Sequence, residues 1–304
     1  MSINNLEFCD KLTGELDKLF VQGPVTGFFA DNVLRSKFVG AKTVLIPEVD
    51  MSGLGDYDRD TGFVSGSIQV ANKPYTLSQD RGRSFQLDRE DEDETGIANL
   101  AGEVLAEFVR TKVVPEMDAY NLSKLAGYAV ENEQTVSGDA ATAPYALFTD
   151  AVEAARSAVG YDEELVAFVD HNLMTALQRS EEISRMMVVS QMKKGGVNLE
   201  VTNLNNVALI PVAKSRMKTS YSFYDGSTSG QTEGGFAPDA SAKDIHLIVM
   251  PKRAASLVKK TEKTRTFTPD QNQGADAYKI DYRVYYDLFV KNSLGGGIIV
   301  NIAD

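Results

Sequence analysis

The sequence predicts an α+β protein with strands first, one long helix next and a compact mixed unit after it. Three patterns carry that prediction. Apolar residues alternate with polar ones through much of 42–87, recur at helical spacing over 97–128, and then fall into short alternating helices and strands over about 149–262.

Residues 1–35 read as a polar, partly helical arm. Leu6, Leu12, Leu16, Leu19 and Phe20 form a loose stripe that ends at Gly23-Pro24. The stripe fits a helix on its own core or an arm docked on a neighbouring chain. Lys42–Val49 and Phe63–Val70 then read as strands, continued by Tyr75/Leu77 and Phe85/Leu87. The glycine- and charge-rich stretch 50–62 between the first two is the expected tip of a long hairpin. Such a ribbon has little core of its own, so another chain is expected to stabilise it.

Six carboxylates from Asp88 to Glu94 precede Ile97, Leu100, Ala101, Val104, Leu105 and Phe108. Acids there suit the positive end of a helix dipole, with Thr95 or Asp93 as the cap. The period resumes after Pro115 through Met117, Tyr120, Leu125 and Tyr128, and the proline is expected to kink or divide the helix. A polar linker follows at 131–144. Phe148–Val159 and His171–Arg179 then read as helices. Leu165–Val169, Met186–Gln191, Val207–Val212 and His246–Met250 read as strands. The Gly/Ser-rich stretch 222–241 is expected to be a flexible surface loop. Tyr282–Val290 and Ile298–Ile302 close the chain as strands around a turn at 291–297.

The 304 residues carry a net charge of −12, which argues against a broad basic face for nucleic acid. Two His and one Cys exclude disulfide and Cys-rich zinc scaffolds and leave little for His-dependent catalysis. Cys9 suits a reducing cytoplasm. Neither a secretory signal nor an apolar run of roughly 18 residues is present, so no membrane role is expected.

Chemical motifs are near misses. Asp56, Asp58 and Asp60 begin like a calcium loop, but the glycine falls at Gly62 and Ser67 stands where a bidentate Glu is needed. A solvated hairpin tip fits better, and helix-start electrostatics explains the 88–94 run without a cation. Residues 226–230 mimic a nucleophile elbow with Thr228 at its centre and lack the strand-to-helix context. Gly53-x-Gly55 and Gly295–Gly297 lack the Lys-Ser/Thr pair of a phosphate loop. His246 lies in a strand pattern and His171 opens a helix, so both read as structural. No catalytic residue, cofactor or metal is expected. What remains is an architecture whose exposed edges call for covering neighbours.

The chain also resembles the major capsid proteins of tailed bacteriophages, whose Hong Kong 97 type fold encapsulins share. The resemblance is carried by Ile46-Pro47-Glu48-Val49, by Gly53-Leu54-x-Asp56-Tyr57-x-Arg59 and by Asp80-Arg81-Gly82-Arg83-Ser84-Phe85-x-Leu87-Asp88. Glu94-Thr95-Gly96 adds to it, as does Glu107-Phe108-x-Arg110-x-x-Val113-Val114-Pro115-Glu116-x-Asp118-Ala119-Tyr120. Arg283-Val284-Tyr285-Tyr286-Asp287-x-Phe289 and then Gly297-Ile298 complete it. These blocks run from about 42 to the C-terminus, and their order and spacing are more specific than any one of them.

The resemblance implies an N-terminal arm at 1–35, an extended loop at 36–92 and a peripheral domain with its spine helix at 93–148. An axial domain at 149–262 and a return to the peripheral domain at 263–304 complete it. It implies a shell of pentamers and hexamers around double-stranded DNA, located in the virion after synthesis in a bacterial host. Portal and decoration proteins are implied partners, DNA is contacted loosely, and an encapsulin-type cargo compartment is the alternative. Because the extended loop begins so near residue 36, a separate scaffolding protein or unaided assembly is expected. Some members join subunits by a Lys–Asn bond. Lys73 and Asn292 sit in no matching motif, so no such cross-link is expected. Glu48, Asp56, Tyr57, Arg59, Arg81 and Arg83 are the expected inter-subunit contacts. Ile97, Leu100, Val104 and Phe108 are the expected apolar face of the spine.

Overall fold

The computed structural model describes residues 22–31, 37–39, 42–60, 62–88, 105–180, 188–194 and 197–303. The stripe from Leu6 to Phe20, Cys9, and Ile97, Leu100 and Val104 of the spine lie outside the described residues.

A 3₁₀ turn at Gly27–Asp31 is followed by β1 (Lys37–Val39), β2 (Thr43–Met51), β3 (Ile68–Thr76) and β4 (Gln79–Asp88). β2 and β3 pair from Thr43↔Thr76 to Met51↔Ile68, so the tip is 52–67 instead of 50–62. The alternation at Phe63–Val70 is real, but only its last residues enter the ladder. Ser52 closes on Ser67 by backbone and side-chain bonds instead. Both ribbon strands contain proline, at Pro47 and Pro74. Each position suits a residue without an N–H, because β3 is an edge and β1 pairs with β2 only as far as Leu45.

The spine is α1 (Val114–Glu131), reached through a helical stretch from Leu105 and a π turn at Val109–Val113. Pro115 therefore does not divide the helix. The Val114 N–H bonds back to the Val109 carbonyl across the wider turn. Proline lacks a donor for the next rung, and the register shift falls where a rung is missing anyway.

Next come α2 (Pro144–Val159), β5 (Leu165–Asp170), α3 (His171–Arg179), β6 (Val188–Lys194), β7 (Val197–Leu204) and β8 (Val207–Val212). β9 (Tyr221–Phe223) and β10 (Phe236–Pro238) form a two-stranded strap, then β11 (Ile245–Pro251), β12 (Ala255–Phe267) and β13 (Ala277–Val290) follow. A single turn of helix, α4 (Asn292–Gly295), occupies the expected turn before β14 (Ile299–Ile302).

A six-stranded sheet, ordered β14-β11-β5-β8-β7-β6, is the centre of the molecule. Its strands β14, β11, β5 and β8 are covered on both faces, which is why they read as near-continuous apolar runs. Val166, Phe168, Ile210, Ile248 and Val300 face the spine helix and β13. Ala167, Val169, Leu209, Leu247 and Ile299 face α2 and α3. β13 completes the sheet β12-β13-β4, while β14 joins the central sheet. The last connection is tight: a Cβ at Gly297 would lie 2.8 Å from Val159 and 2.9 Å from Pro251.

The 222–241 stretch is not a free loop. Phe223 packs edge-on against Tyr120 at 5.7 Å, which holds the strap on the spine, and Phe236 packs edge-on against Tyr221 at 5.4 Å within the strap. Its turns use glycine at positive φ, as at Gly226 and Gly234.

Candidate inter-subunit surface

The β2–β3 hairpin carries an exposed outer strand and an exposed tip. All residues of β3 but Tyr75 are exposed. Among the described residues, every large apolar side chain marked by high exposure lies between Met51 and Val70, apart from Val130 and Tyr161. Leu54 is fully exposed and Phe63 is 88% exposed. Fully burying a side chain of this class is worth about 1.5–3 kcal/mol. Leu54, Tyr57, Phe63, Val64, Ile68 and Val70 together therefore offer on the order of 10 kcal/mol of gross stabilisation to a covering surface, before association costs.

The tip is ordered without a core. Asp58 and Gly62 exchange backbone bonds of 3.2 and 2.8 Å, and the Asp60 N–H donates to the Asp58 carboxylate at 2.6 Å. Gly62 takes φ +85°, which an L side chain resists. The Tyr57 and Phe63 rings meet at 4.8 Å across this turn. Asp56, Asp58, Arg59 and Asp60 are all exposed in this stretch of the tip.

The root, in contrast, is fixed at three places. Val44, Leu77, Val258, Tyr285 and Phe289 form a small buried cluster beneath it. Next to that, the carboxylate of Asp287, 1% exposed, accepts from the Ser78 N–H and hydroxyl at 3.0 Å each and from Tyr120 at 2.7 Å. It also pairs with Lys124. Burial pushes the Tyr120 phenol far above its ordinary value, so it is a neutral donor at any physiological pH. The third anchor is Arg81, which grips Glu116 of the spine through two bonds of 2.6 and 3.2 Å. Arg81 also donates to the carbonyls of Tyr224 (2.8 Å) and Gly235 (3.2 Å) in the strap. One side chain thus ties the hairpin root, the spine and the strap together, beside a cleft of about 570 Å³.

Replacing Arg81 by Met should cost about 2–3 kcal/mol, the worth of charge-assisted bonds to a mostly buried carboxylate. Arg81→Lys should recover only part, since an ammonium cannot bind both oxygens in the fork geometry. Urea unfolding gives the cost, and faster proteolysis between 222 and 238 reports release of the strap. Equal midpoints for all three proteins would remove Arg81 as an anchor.

The expected contact residues separate into two groups. Asp56, Tyr57 and Arg59 stand exposed at the tip. Arg81 and Arg83 belong to β4 and point their charges at their own chain, Arg83 to the Thr232 carbonyl at 3.2 Å. Glu48 lies in β2, with its side chain outside the described residues. Phe108 sits where the spine face was expected, packing edge-on against Phe85 (4.8 Å) and Tyr282 (5.9 Å). His246 lies 3.2 Å from the Asp170 carboxylate, whose other oxygen caps α3 at Leu173 (2.6 Å).

Sequence reasoning missed Asp118, Arg216 and Asp287, the buried charges that hold these parts together. A signal existed: Asp118 and Asp287 each interrupt an apolar run, and a buried acid needs partners.

No family model matches the chain, and no curated protein matches it. Solved structures do. The chain is similar to one in the capsid structure of the cyanophage P-SCSP1u, with 14% identity and a TM-score of 0.62 over 98% of this chain and 93% of that one. It is also similar to one in the asymmetric unit of the bacteriophage PhiM1 mature capsid, at 14% identity and a TM-score of 0.58 over 97% and 91%. A third likeness is to the capsid of an empty GTA particle, at 11% identity and a TM-score of 0.52 over 97% and 94%. The fold is therefore that of phage capsid chains, a mixed helix-and-sheet architecture matched over nearly the full length.

Proposed function

We propose that this chain is the major capsid protein of a tailed bacteriophage, with the Hong Kong 97 type arrangement, and that it self-assembles into an icosahedral shell around double-stranded DNA. The observation that carries the reading is the hairpin: a long ribbon with a rigid root and an uncovered apolar tip. A monomer gains nothing from such an element. Repeated head-to-tail contacts use it at every subunit. Each contact can be modest because every subunit is held at several places at once.

The fold comparisons support the same reading, and the cargo-compartment alternative has no counterpart among the capsids named above. In this reading residues 1–35 are an arm, 36–92 the extended loop, 93–148 and 263–304 the peripheral domain, and 149–262 the axial domain. Rings of five and six copies, a scaffolding protein, a portal and a decoration protein are the partners it implies. The acidic chain holds DNA loosely, the shell works without a cofactor or catalytic residue, and its place is the virion. Among the described residues, no helix is long and apolar enough to cross a membrane.

The experiment is expression with the neighbouring structural genes, followed by sedimentation and electron microscopy. Closed particles containing DNA are the expected product, with no covalent ladder on denaturing gels. A chain that stays monomeric under those conditions would sink the proposal.

A further inference from the structure

We propose that the cleft between β4, β13, the start of the spine and the strap is a binding site for a small uncharged aromatic molecule carrying one polar group. The inference goes beyond the shell reading and does not depend on it.

The cleft holds about 570 Å³, within the roughly 300–1,000 Å³ usual for small-ligand pockets. Tyr282, Val284 and Tyr286 line it from β13, alternate residues on one face of the strand. Phe85 of β4 and Phe108 of the spine's first turns add two more rings, 4.8 Å apart and edge-on, and Phe108 meets Tyr282 edge-on at 5.9 Å. Walls of this kind favour a further ring, which gains from edge-on or offset contact. The strap supplies a rim through residues 224–226 and 233–235.

Tyr286 is the residue that points to a ligand. It is the most buried polar side chain of the lining, 2% exposed, yet its hydroxyl makes no hydrogen bond among the described residues. Burial, and then the nearby Glu116 carboxylate, push the phenol well above its ordinary pKa, so the hydroxyl is neutral and able to donate or accept. The groups around it are already engaged. Tyr120 donates to Asp287, Tyr282 to Glu262 at 3.2 Å, and Arg81 takes both oxygens of Glu116. A buried hydroxyl left over in this way calls for a partner from outside the chain. The charges around the cleft decide its kind. Arg81 is neutralised by Glu116, and Asp80 by Arg283. Lys112 and Arg83 remain against Asp225 and Glu233, two of each sign, and all four are exposed. No net charge is left for an ionic ligand, so the apolar walls and one hydrogen bond select an uncharged ring with a single polar group. A bound molecule touches the hairpin root, the spine and the strap at once, and stabilises the junction that Arg81 makes.

The test uses the full unassembled chain at neutral pH, with 2-naphthol as the probe and 2-naphthoate and 2-naphthylmethylammonium as its charged counterparts. Calorimetry should give one site for 2-naphthol, with an affinity at least about tenfold above that for either ion. Saturation should slow proteolysis between 222 and 238 severalfold. Tyr286→Phe should weaken 2-naphthol by about five- to tenfold, the worth of one neutral hydrogen bond. Without ligand the same variant should melt no lower than wild type, because no bond within the chain is lost. Binding that Tyr286→Phe leaves unchanged would place the probe elsewhere, on the exposed hairpin tip for example, and overturn the site. No binding at millimolar concentration, meaning a cleft that holds water alone, would overturn it too, as would equal affinity for the ions. A Tyr286→Phe chain that melts well below wild type would reveal a partner within the chain and overturn it as well. Particle assembly is read separately, so each of these outcomes leaves the shell reading standing.

Discussion

A chain in which an Asn-Gly turn replaces residues 52–67 is expected to fold with an unchanged melting temperature and to form no shells. Met51 and Ile68 are already paired partners across the ribbon, so a two-residue hairpin turn can close the ladder there. Among the described residues nothing buried is removed: those of the tip are exposed or half-exposed, and the cluster beneath the root begins at Val44 and Leu77. What is removed is Leu54, Tyr57, Phe63 and Val64, the largest uncovered apolar surface among the described residues. In an assembly held by many repeated contacts, losing one contact per subunit multiplies through the shell. Particle yield should therefore fall by at least about a hundredfold. Calorimetry on the unassembled protein and microscopy of the assembly reaction decide it. Normal shells from the shortened chain would end the role assigned to the hairpin.

The second large effect is expected at Asp118, and it concerns the subunit itself. Its carboxylate lies inside the molecule on the spine helix and accepts from the N–H groups of Val25 and Thr26, at 3.1 and 3.0 Å, and from the Thr26 hydroxyl at 2.5 Å. Arg216 donates to it at 2.8 Å and also binds the carbonyls of Gly23 and Gln22. Both members of the ion pair are 3% exposed or less. Replacing Asp118 by Ala strands a buried guanidinium and two backbone donors, a change that typically costs about 3–5 kcal/mol. Replacing both charges together, as Asp118→Leu with Arg216→Met, should be less damaging than Asp118→Ala alone, because no uncompensated charge remains. Urea midpoints of the single and double variants measure this, and proteolysis between 22 and 31 reports whether the segment has come loose. A single variant as stable as wild type would mean that the pair does not hold the segment.

These two sites differ in how visible they were beforehand. The hairpin was legible because its cause is local: alternation of period two, turn residues between two runs, and too few apolar positions for a private core. Its ends moved by several residues because 63–67 alternates without a partner strand to pair with. The outer half of β12 went unread for the opposite reason. Lys259–Phe267 has no buried face, and hydrophobic periodicity cannot reveal a strand that is exposed on both sides. The strap at 222–241 looked like a flexible excursion because Gly and Ser dominate it. Three aromatic residues and the reach of Arg81 hold it in place.

By itself, then, the sequence determined the order of the helices and of the buried strands and the exposed tip of the ribbon, which follow from composition and short-range spacing. Tertiary structure alone decided which charges stay inside and which stand on the surface. Arg81 and Arg83 stand two residues apart in β4, yet Arg81 turns inward to Glu116 while Arg83 stays at the surface on the Thr232 carbonyl, and Lys263 and Arg265 are exposed. Asp118 meets Thr26 across 92 positions and Asp287 meets Ser78 across 209. No periodicity spans such distances. A buried charge takes whatever partner the folded chain brings within hydrogen-bonding reach, and that partner is a property of the packing, not of the neighbouring residues.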